Sequence, residues 1–477
     1  MKKVNPIKFG TDGWRAIIAQ DFTFDNVRVC AQATAEYLKE SGLAGRGLII
    51  GYDTRFASED FAAACAEVVA GNGIKVFLCP KAAPTPVISF GTLVRKAGGA
   101  IIITASHNPA NWNGFKYKND TGSSAPPEVT AKIESNIARI QNTGQIKQIA
   151  LSEAVKQGLV EYLDLDPIYF AQVKKLIDLE GLRRAGIKVI IDSMWGAGAG
   201  YLKEMLSGGA TEVVELHGER NTFFPEMERP EPIAPNLKAL SAKVKRQKAS
   251  VGLATDGDAD RMGVVDENGV FITQLQVFAL LCLYLLEVRG ERGPIVKTLN
   301  TTSMVYRLGE IFKVPVFETP VGFRHIAPVM LKQDALIGGE ESGGYGFRGH
   351  VLERDGVLAN LYFLDLMVKT GKSPAELLAY LYKKVGRHYY HRLDVTFPAD
   401  ERQAIIRRIK RNPPKTIGSV PVAKSDTVDG FRFILADGAW LLIRFSGTEP
   451  ILRIYAEDGT QNHVEEMLAA GRDLTGV

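Results

Sequence analysis

An α/β architecture of three tandem domains with related mixed-sheet cores, closed by a smaller α+β domain, is predicted by three observations. One strand–helix–strand pattern occurs three times, more than a hundred residues apart. The last hundred residues abandon that pattern for closely spaced strand-like runs. At 477 residues, the chain is longer than one hydrophobic core usually supports, so three or four domains are expected.

The first copy, "RGLIIGYDTRFASEDFAAACAEVVAGNGIKVFLCP", reads as a strand near Leu48, a polar turn, a helix, a glycine-containing stop and a strand ending near Cys79. "GIKVIIDSMWGAGAGYLKEMLSGGATEVVELH" repeats the order from Gly186, and "GPIVKTLNTTSMVYRLGEIFKVPVFETP" repeats it from Gly293. Short apolar strands alternating with helical patterns indicate βαβ units and largely parallel sheets. "VFALLCLYLLEV", residues 277–288, is too short to span a bilayer and reads as a core helix. Ser373, Pro374 and Glu376 occupy the N-cap, N1 and N3 positions of a helix through "AELLAYLYKKV". Beyond it, "HRLDVTF", "FRFILAD" and "AWLLIRF" are strand-like runs. The boundaries expected from these shifts are 1–156, 157–266, 267–378 and 379–477. The proline-rich residues 223–236 read as a loop inside the second domain.

Composition narrows the function. With 45% apolar and 23% charged residues and a formal net charge of +4, the chain reads as globular rather than nucleic-acid-binding. The densest basic run, "IIRRIKRNPPK", has no interleaved aromatics and reads as a solvated helix face. Cys30, Cys65, Cys79 and Cys282 are widely and irregularly spaced, which argues against disulfides and zinc and fits a reducing cytoplasm. No apolar stretch follows the N-terminal lysines, so neither a secretory signal nor a membrane anchor is expected.

Chemistry concentrates in a few loops. In "LATDGDADRMGVVDENG", Asp256, Asp258 and Asp260 alternate after an apolar strand, so in extended backbone their carboxylates share one side and repel unless a cation lies between them. An EF-hand would begin the same way, but Arg261 stands where that loop needs glycine, and "VVDENGVFI" is a hairpin signal. An oxygen-only ligand set favours Mg²⁺, and a magnesium ion on three carboxylates with an arginine beside it calls for an anionic partner such as phosphate. "LLIRFSGTEPILR" brings together Arg444, Ser446, Gly447, Thr448 and Arg453, and "KFGTDGWR" combines Thr11, Gly13 and Arg15 in the same manner. "ALIGGEESGGYGFRGH" places Glu340 and Ser342 where they could bond sugar hydroxyls. "GGAIIITASHNP" puts Ser106 and His107 just after a buried strand.

The ordered set "TASHNP", "DGDADR", "GEESGG" and "RFSGTEP" resembles the α-D-phosphohexomutase superfamily of phosphoglucomutases, phosphomannomutases and phosphoglucosamine mutases, and the resemblance spans essentially the whole chain. It implies that Ser106 is a phosphoserine whose phosphate joins Asp256, Asp258 and Asp260 around Mg²⁺. It implies that a hexose 1- or 6-phosphate passes through a bound 1,6-bisphosphate that turns around in the cleft. Arg15 and Arg261 would stabilise the transferring phosphoryl group, while His107 and Lys116 match positions linked to proton transfer, with their individual roles open. Glu340 and Ser342 would hold sugar hydroxyls, and Arg444, Ser446, Gly447, Thr448 and Arg453 the phosphate that is not transferred. Lys297 and Arg324 would line the third-domain wall, with a plain surface cation the competing reading for each.

Glu341 and Gly344 stand where the glucosamine branch carries glutamine and histidine, and where the mannose/glucose branch carries methionine and histidine. The second glutamate matches the glucomutase pattern, so glucose phosphates are expected, with mannose phosphate the nearest rival. A monomer or homodimer is expected. Two readings of another kind compete: a serine hydrolase, which lacks a G-x-S-x-G elbow here, and a non-catalytic sugar-phosphate sensor, which has no need of three aspartates.

Overall fold

The computed structural model describes residues 7–446 and 451–476. Three sheets share one core order. In the first, strands run Val76–Leu78, Leu48–Tyr52, Ala100–Ile103, then Trp112–Lys118, the first three parallel and the last antiparallel. The second sheet repeats it with Glu212–Leu216, Lys188–Asp192, Val251–Thr255 and the antiparallel Met262–Val265. In the third the strands are Val316–Thr319, Ile295–Thr298, Ile337–Gly339 and the antiparallel Tyr345–Phe347. The three βαβ copies expected from the sequence are the first two strands of each core.

Parallel strands covered on both faces read as unbroken apolar runs rather than alternating ones. Ala100–Ile103 does this: Ile101 and Ile103 enter one core cluster, while Ala100 and Ile102 enter another. Sequence alternation reappears in its antiparallel neighbour, where Phe115 and Tyr117 join a core cluster. Lys116 and Lys118 therefore point to the other face, a consequence of the two-residue period of a strand.

The C-terminal unit is a six-stranded antiparallel sheet, in the order Tyr389–Thr396, Ile451–Asp458, Trp440–Phe445, Phe431–Leu435, Val420–Asp426, Thr416–Ile417. Helices Arg402–Arg411 and Gln461–Thr475 cover one face through Ile405, Ile409, Val464 and Met467. The basic run is indeed a helix with its cations turned outward. On the opposite face Trp440, Leu442 and Tyr455 pack with Leu299 of the third unit.

The expected boundaries need moving at three places. Val160–Tyr162 pairs with Val76–Leu78, so the first sheet continues past 156. Phe271–Ile272 pairs with Met262–Val265, carrying the second sheet past 266. Helix Pro374–Val385 crosses 378 and packs on helices Gln274–Leu283 and Met304–Phe312 of the third unit. Edge strands of two or three residues carry almost no sequence period, which is why they escape a pattern-based division. The Ser373 capping box forms as expected, with the Ser373 N–H donating to Glu376 Oε2 at 2.9 Å.

Among the described residues no helix is long and apolar enough to cross a membrane. All four cysteines are free and buried.

Candidate active site

The repeated core brings the chemistry together. In each of the three sheets the turn between the third parallel strand and its antiparallel neighbour carries one of the singled-out motifs: "TASHNPAN" at 104–111, "DGDADR" at 256–261 and "EESGG" at 340–344. Ligand crevices of open α/β sheets lie outside the carboxyl ends of their strands, which is where all three turns sit.

Ser106 is fully buried with φ of +53°, a left-handed conformation that costs a non-glycine residue about 1–2 kcal/mol. Its hydroxyl donates to Asp256 Oδ2 at 2.8 Å, across 150 residues of sequence. The turns touch at Gly257, where an added Cβ would lie 2.4 Å from the Ser106 carbonyl oxygen. Glycine is therefore required there by close approach, not by backbone angle.

Asp256, Asp258 and Asp260 offer oxygens that all lie within 4.8 Å of one another, as expected. They converge on a tight turn, with Ala259 at φ of +55°, rather than on extended backbone. The turn folds the chain back within four residues, and the Ala259 N–H donating to the Asp256 carbonyl at 3.0 Å closes it. Burial, then Asp260 and Asp258, push the Asp256 carboxyl well above the ordinary carboxylate range. Burial would raise Asp258 too, but the Lys116 ammonium outweighs it and holds Asp258 low. Asp258 Oδ1 and Asp260 Oδ1 are buried without a hydrogen-bond partner. An all-oxygen cluster with two orphaned carboxylate oxygens suits a hard divalent cation.

Lys116 Nζ lies 2.7 Å from Asp12 Oδ2, 2.7 Å from Asp258 Oδ2 and 3.3 Å from Asp260 Oδ2. Burial lowers its basicity, but the three carboxylates raise it further, so it is an ammonium in this arrangement. His107 Nδ1 is 3.4 Å from Ser106 Oγ. Burial, then Arg261 and Arg15, hold its imidazole well below the ordinary histidine value and therefore neutral. Arg15 donates to Asn108 Oδ1 at 2.7 Å. Arg261 spans Asp256 at 3.9 Å, Asp260 at 3.7 Å and Glu231 at 3.3 Å.

On the third turn, Ser342 Oγ is buried without a hydrogen-bond partner, and Glu340 Oε2 has an ion-pair partner only. Arg354 joins this turn to the rest, lying 3.4 Å from Glu340, 2.9 Å from Asp260 and 2.6 Å from Asp12. A Cβ at Gly344 would meet Arg354 Cδ at 2.3 Å, so the arginine occupies the space a side chain at 344 would need.

Several of the expected residues are engaged in contacts between units. Lys297 is 2% exposed, 3.6 Å from Glu318 and over the Tyr306 ring, beneath a Glu318–Arg432 pair that ties the third unit to the fourth. Arg324 opens helix Phe323–Gln333 and donates to the Gly10 carbonyl at 3.0 Å, so it joins the first and third units. Glu341 turns to the fourth unit, accepting from Tyr390 at 2.7 Å and Arg392 at 3.2 Å. Arg444 pairs with Asp429 at 3.0 Å, Arg453 is 3.6 Å from Asp394, and Ser446 is buried at the end of its strand. Gly447 and Thr448 lie outside the described residues.

Sequence reasoning missed Asp12, Lys118, Glu353, Arg354, Asp53 and Arg55. Lys118 pairs with Glu353 at 2.7 Å and Asp12 at 3.1 Å. Two signals were readable: the lysine two residues after Lys116 in a strand, and charges inside the otherwise apolar stretch around "LERDG".

A buried serine hydroxyl set against a carboxylate cluster with arginines beside it suits phosphoryl transfer. Comparison with known proteins agrees. The phosphoglucomutase/phosphomannomutase models match residues 6–144 (alpha/beta/alpha domain I), 167–269 (domain II), 274–385 (domain III) and 406–474 (C-terminal domain). The chain is 32% identical over 98% of its own length, and 98% of the relative's, to a phosphoglucomutase/phosphomannomutase of Thermococcus kodakarensis. It is 31% identical over 98% of its length and 97% of the relative's to a Methanosphaera stadtmanae protein described provisionally as a phosphoglucosamine mutase. A solved structure from Thermus thermophilus, described provisionally as a phosphomannomutase, superposes with a TM-score of 0.86 at 36% identity, covering 99% of this chain and all of that one. The chain belongs to the phosphoglucomutase/phosphomannomutase family and is a hexose phosphate mutase of that type.

Proposed function

We propose that Ser106 carries the phosphoryl group between the 1- and 6-positions of a hexose phosphate, glucose phosphate foremost. The carrying observation is the Ser106 hydroxyl 2.8 Å from Asp256 in a buried cluster with neighbouring arginines. Phosphorylated Ser106 gives its phosphoryl to the free sugar hydroxyl: the Oγ–P bond breaks, the sugar O–P bond forms, and the hydroxyl proton passes to a base. The resulting 1,6-bisphosphate turns over in the cleft, and Ser106 Oγ takes the other phosphoryl group. Arg15 and Arg261 neutralise charge on the phosphoryl oxygens as it moves. His107, held neutral, is suited to accept a proton, and Lys116, held as an ammonium, to donate one or to offset charge. Mg²⁺ on Asp256, Asp258 and Asp260 would supply further charge neutralisation at the serine phosphate. Glu340 and Ser342 hold the sugar hydroxyls, while Arg444, Ser446, Gly447, Thr448 and Arg453 hold the distal phosphate.

The "GEES" run supports glucose, and since Glu341 reaches Tyr390 and Arg392, its influence on the sugar is exerted through the placement of the fourth unit. The relatives described as phosphoglucosamine mutase and phosphomannomutase make those sugars the alternatives. Two measurements decide. Ser106→Ala is expected to abolish turnover in a folded protein and to remove the phosphoryl mass carried by the wild type; wild-type turnover in that variant would refute the nucleophile. Comparing kcat/KM for glucose, mannose and glucosamine 1-phosphates ranks the sugars, and preference for either rival refutes glucose.

A further inference from the structure

Arg55 has no part in the chemistry above, yet it is 0% exposed and lies directly behind the Ser106 turn. Its terminal nitrogens donate to four backbone carbonyls: Nη2 to Ser106 at 2.7 Å and Asn108 at 2.6 Å, Nη1 to Pro109 at 2.7 Å and Trp112 at 3.0 Å. Three of these carbonyls belong to the turn that carries the nucleophile, and Trp112 opens the strand that follows it. Its Nε lies 3.2 Å from Asp53 Oδ2. That same oxygen accepts from Thr104 Oγ1 at 2.6 Å, and Thr104 Oγ1 accepts from the Ser106 N–H at 2.9 Å. Both backbone groups of Ser106 are thus held by one closed ring, Arg55–Asp53–Thr104–Ser106.

The ring is itself fixed. Asp53 Oδ1 accepts from the Arg55 N–H and from Ser58 Oγ, each at 2.9 Å. From the second unit, the Phe224 ring covers the guanidinium at 5.0 Å, and Arg220 donates to the Arg55 carbonyl at 3.1 Å. A simple fold anchor would spread its bonds over several elements. This guanidinium gives three of its four terminal bonds to the turn in which Ser106 takes its left-handed conformation, and the planar fork can serve four acceptors where an ammonium cannot.

We infer that Arg55 is a positioning residue for the reaction: it holds the Ser106 turn so that Oγ faces the Asp256 carboxylate and the incoming phosphorus in line. The inference rests on Ser106 being the phosphoryl carrier. Phosphoryl transfer depends on placement, and a misplacement of about 1 Å costs on the order of 100-fold.

Arg55→Lys keeps a buried cation but not the fork. Its kcat is expected to fall about 100-fold with KM little changed, since the cleft that binds the sugar phosphate is untouched. Thermal melting establishes that the variant is folded. Arg55→Ala is expected to recover turnover when millimolar guanidinium is supplied. If neither variant folds, the ring is cut at Thr104: Thr104→Val should lose kcat as Arg55→Lys does, and Thr104→Ser, which keeps the hydroxyl, should retain it. Wild-type kcat in folded Arg55→Lys, or in Thr104→Val, overturns the inference. Failure of the underlying reading looks different: the wild type would carry no phosphate on Ser106, and Ser106→Ala would turn over normally.

Discussion

Gly257→Ala tests the contact on which the site depends. The new Cβ would start 2.4 Å from the Ser106 carbonyl oxygen and 3.2 Å from Pro230 Cγ, where ordinary contact begins at 3.4 Å. One turn must therefore retreat by about 1 Å, and the Ser106 turn is held by three bonds from Arg55 and a fourth to the strand that follows it. The retreat falls on the aspartate turn, which separates Asp256 from Ser106 Oγ. Overpacking of this kind costs about 1–3 kcal/mol of stability. Displacing the carboxylates by about 1 Å costs on the order of 100-fold in kcat. Thermal melting and steady-state kinetics measure the two effects, with Gly45→Ala as control, because nothing lies within 4 Å of a Cβ there. Full activity in folded Gly257→Ala would refute the claim that the two turns are locked in register.

Chelation of divalent metal is expected to stop turnover reversibly, and Asp258→Asn to lower both turnover and metal affinity, read by activity against added Mg²⁺; activity indifferent to chelator would refute the metal site. Lys297→Met is expected to lower the melting temperature while leaving KM for the sugar phosphate unchanged, because Lys297 is buried against Glu318. Burial would raise the Glu353 carboxyl, but Lys118 and Arg354 outweigh it and hold it below the ordinary value. A depressed carboxyl adds stability above its unfolded value, about 4.3, and loses it as pH falls through the lower folded value. Melting temperature should accordingly drop as pH is taken below about 4.3, and Glu353→Gln should be less stable near neutrality by about 3–5 kcal/mol, with a shallower acid limb.

Local pattern accounts for what could be read in advance. The strand–helix–strand copies, the Ser373 capping box and the hairpin after the aspartates depend on neighbours within a few residues, so their signals lie in short stretches of sequence. The aspartates were legible as a cluster for the same reason, though not the turn that gathers them. Asp12 and Arg55 were not legible, because nothing adjacent to them in sequence marks them; each acquires its role from partners roughly 50 to 340 residues away. Lys297 illustrates the converse. A lysine in a strand looks the same whether its partner is a ligand or Glu318.

The sequence by itself determined the repeated core and the residue types that each functional turn carries, since apolar runs, turn residues and ordered motifs are local properties. Only the tertiary structure decided that the same turn of three successive sheets would meet at one point. It also decided that a buried guanidinium would hold the serine there and that the carboxylates would be balanced by Lys116, Lys118 and Arg354. Those outcomes depend on how separate sheets pack, and burial makes each of these charges depend on partners that no local pattern specifies.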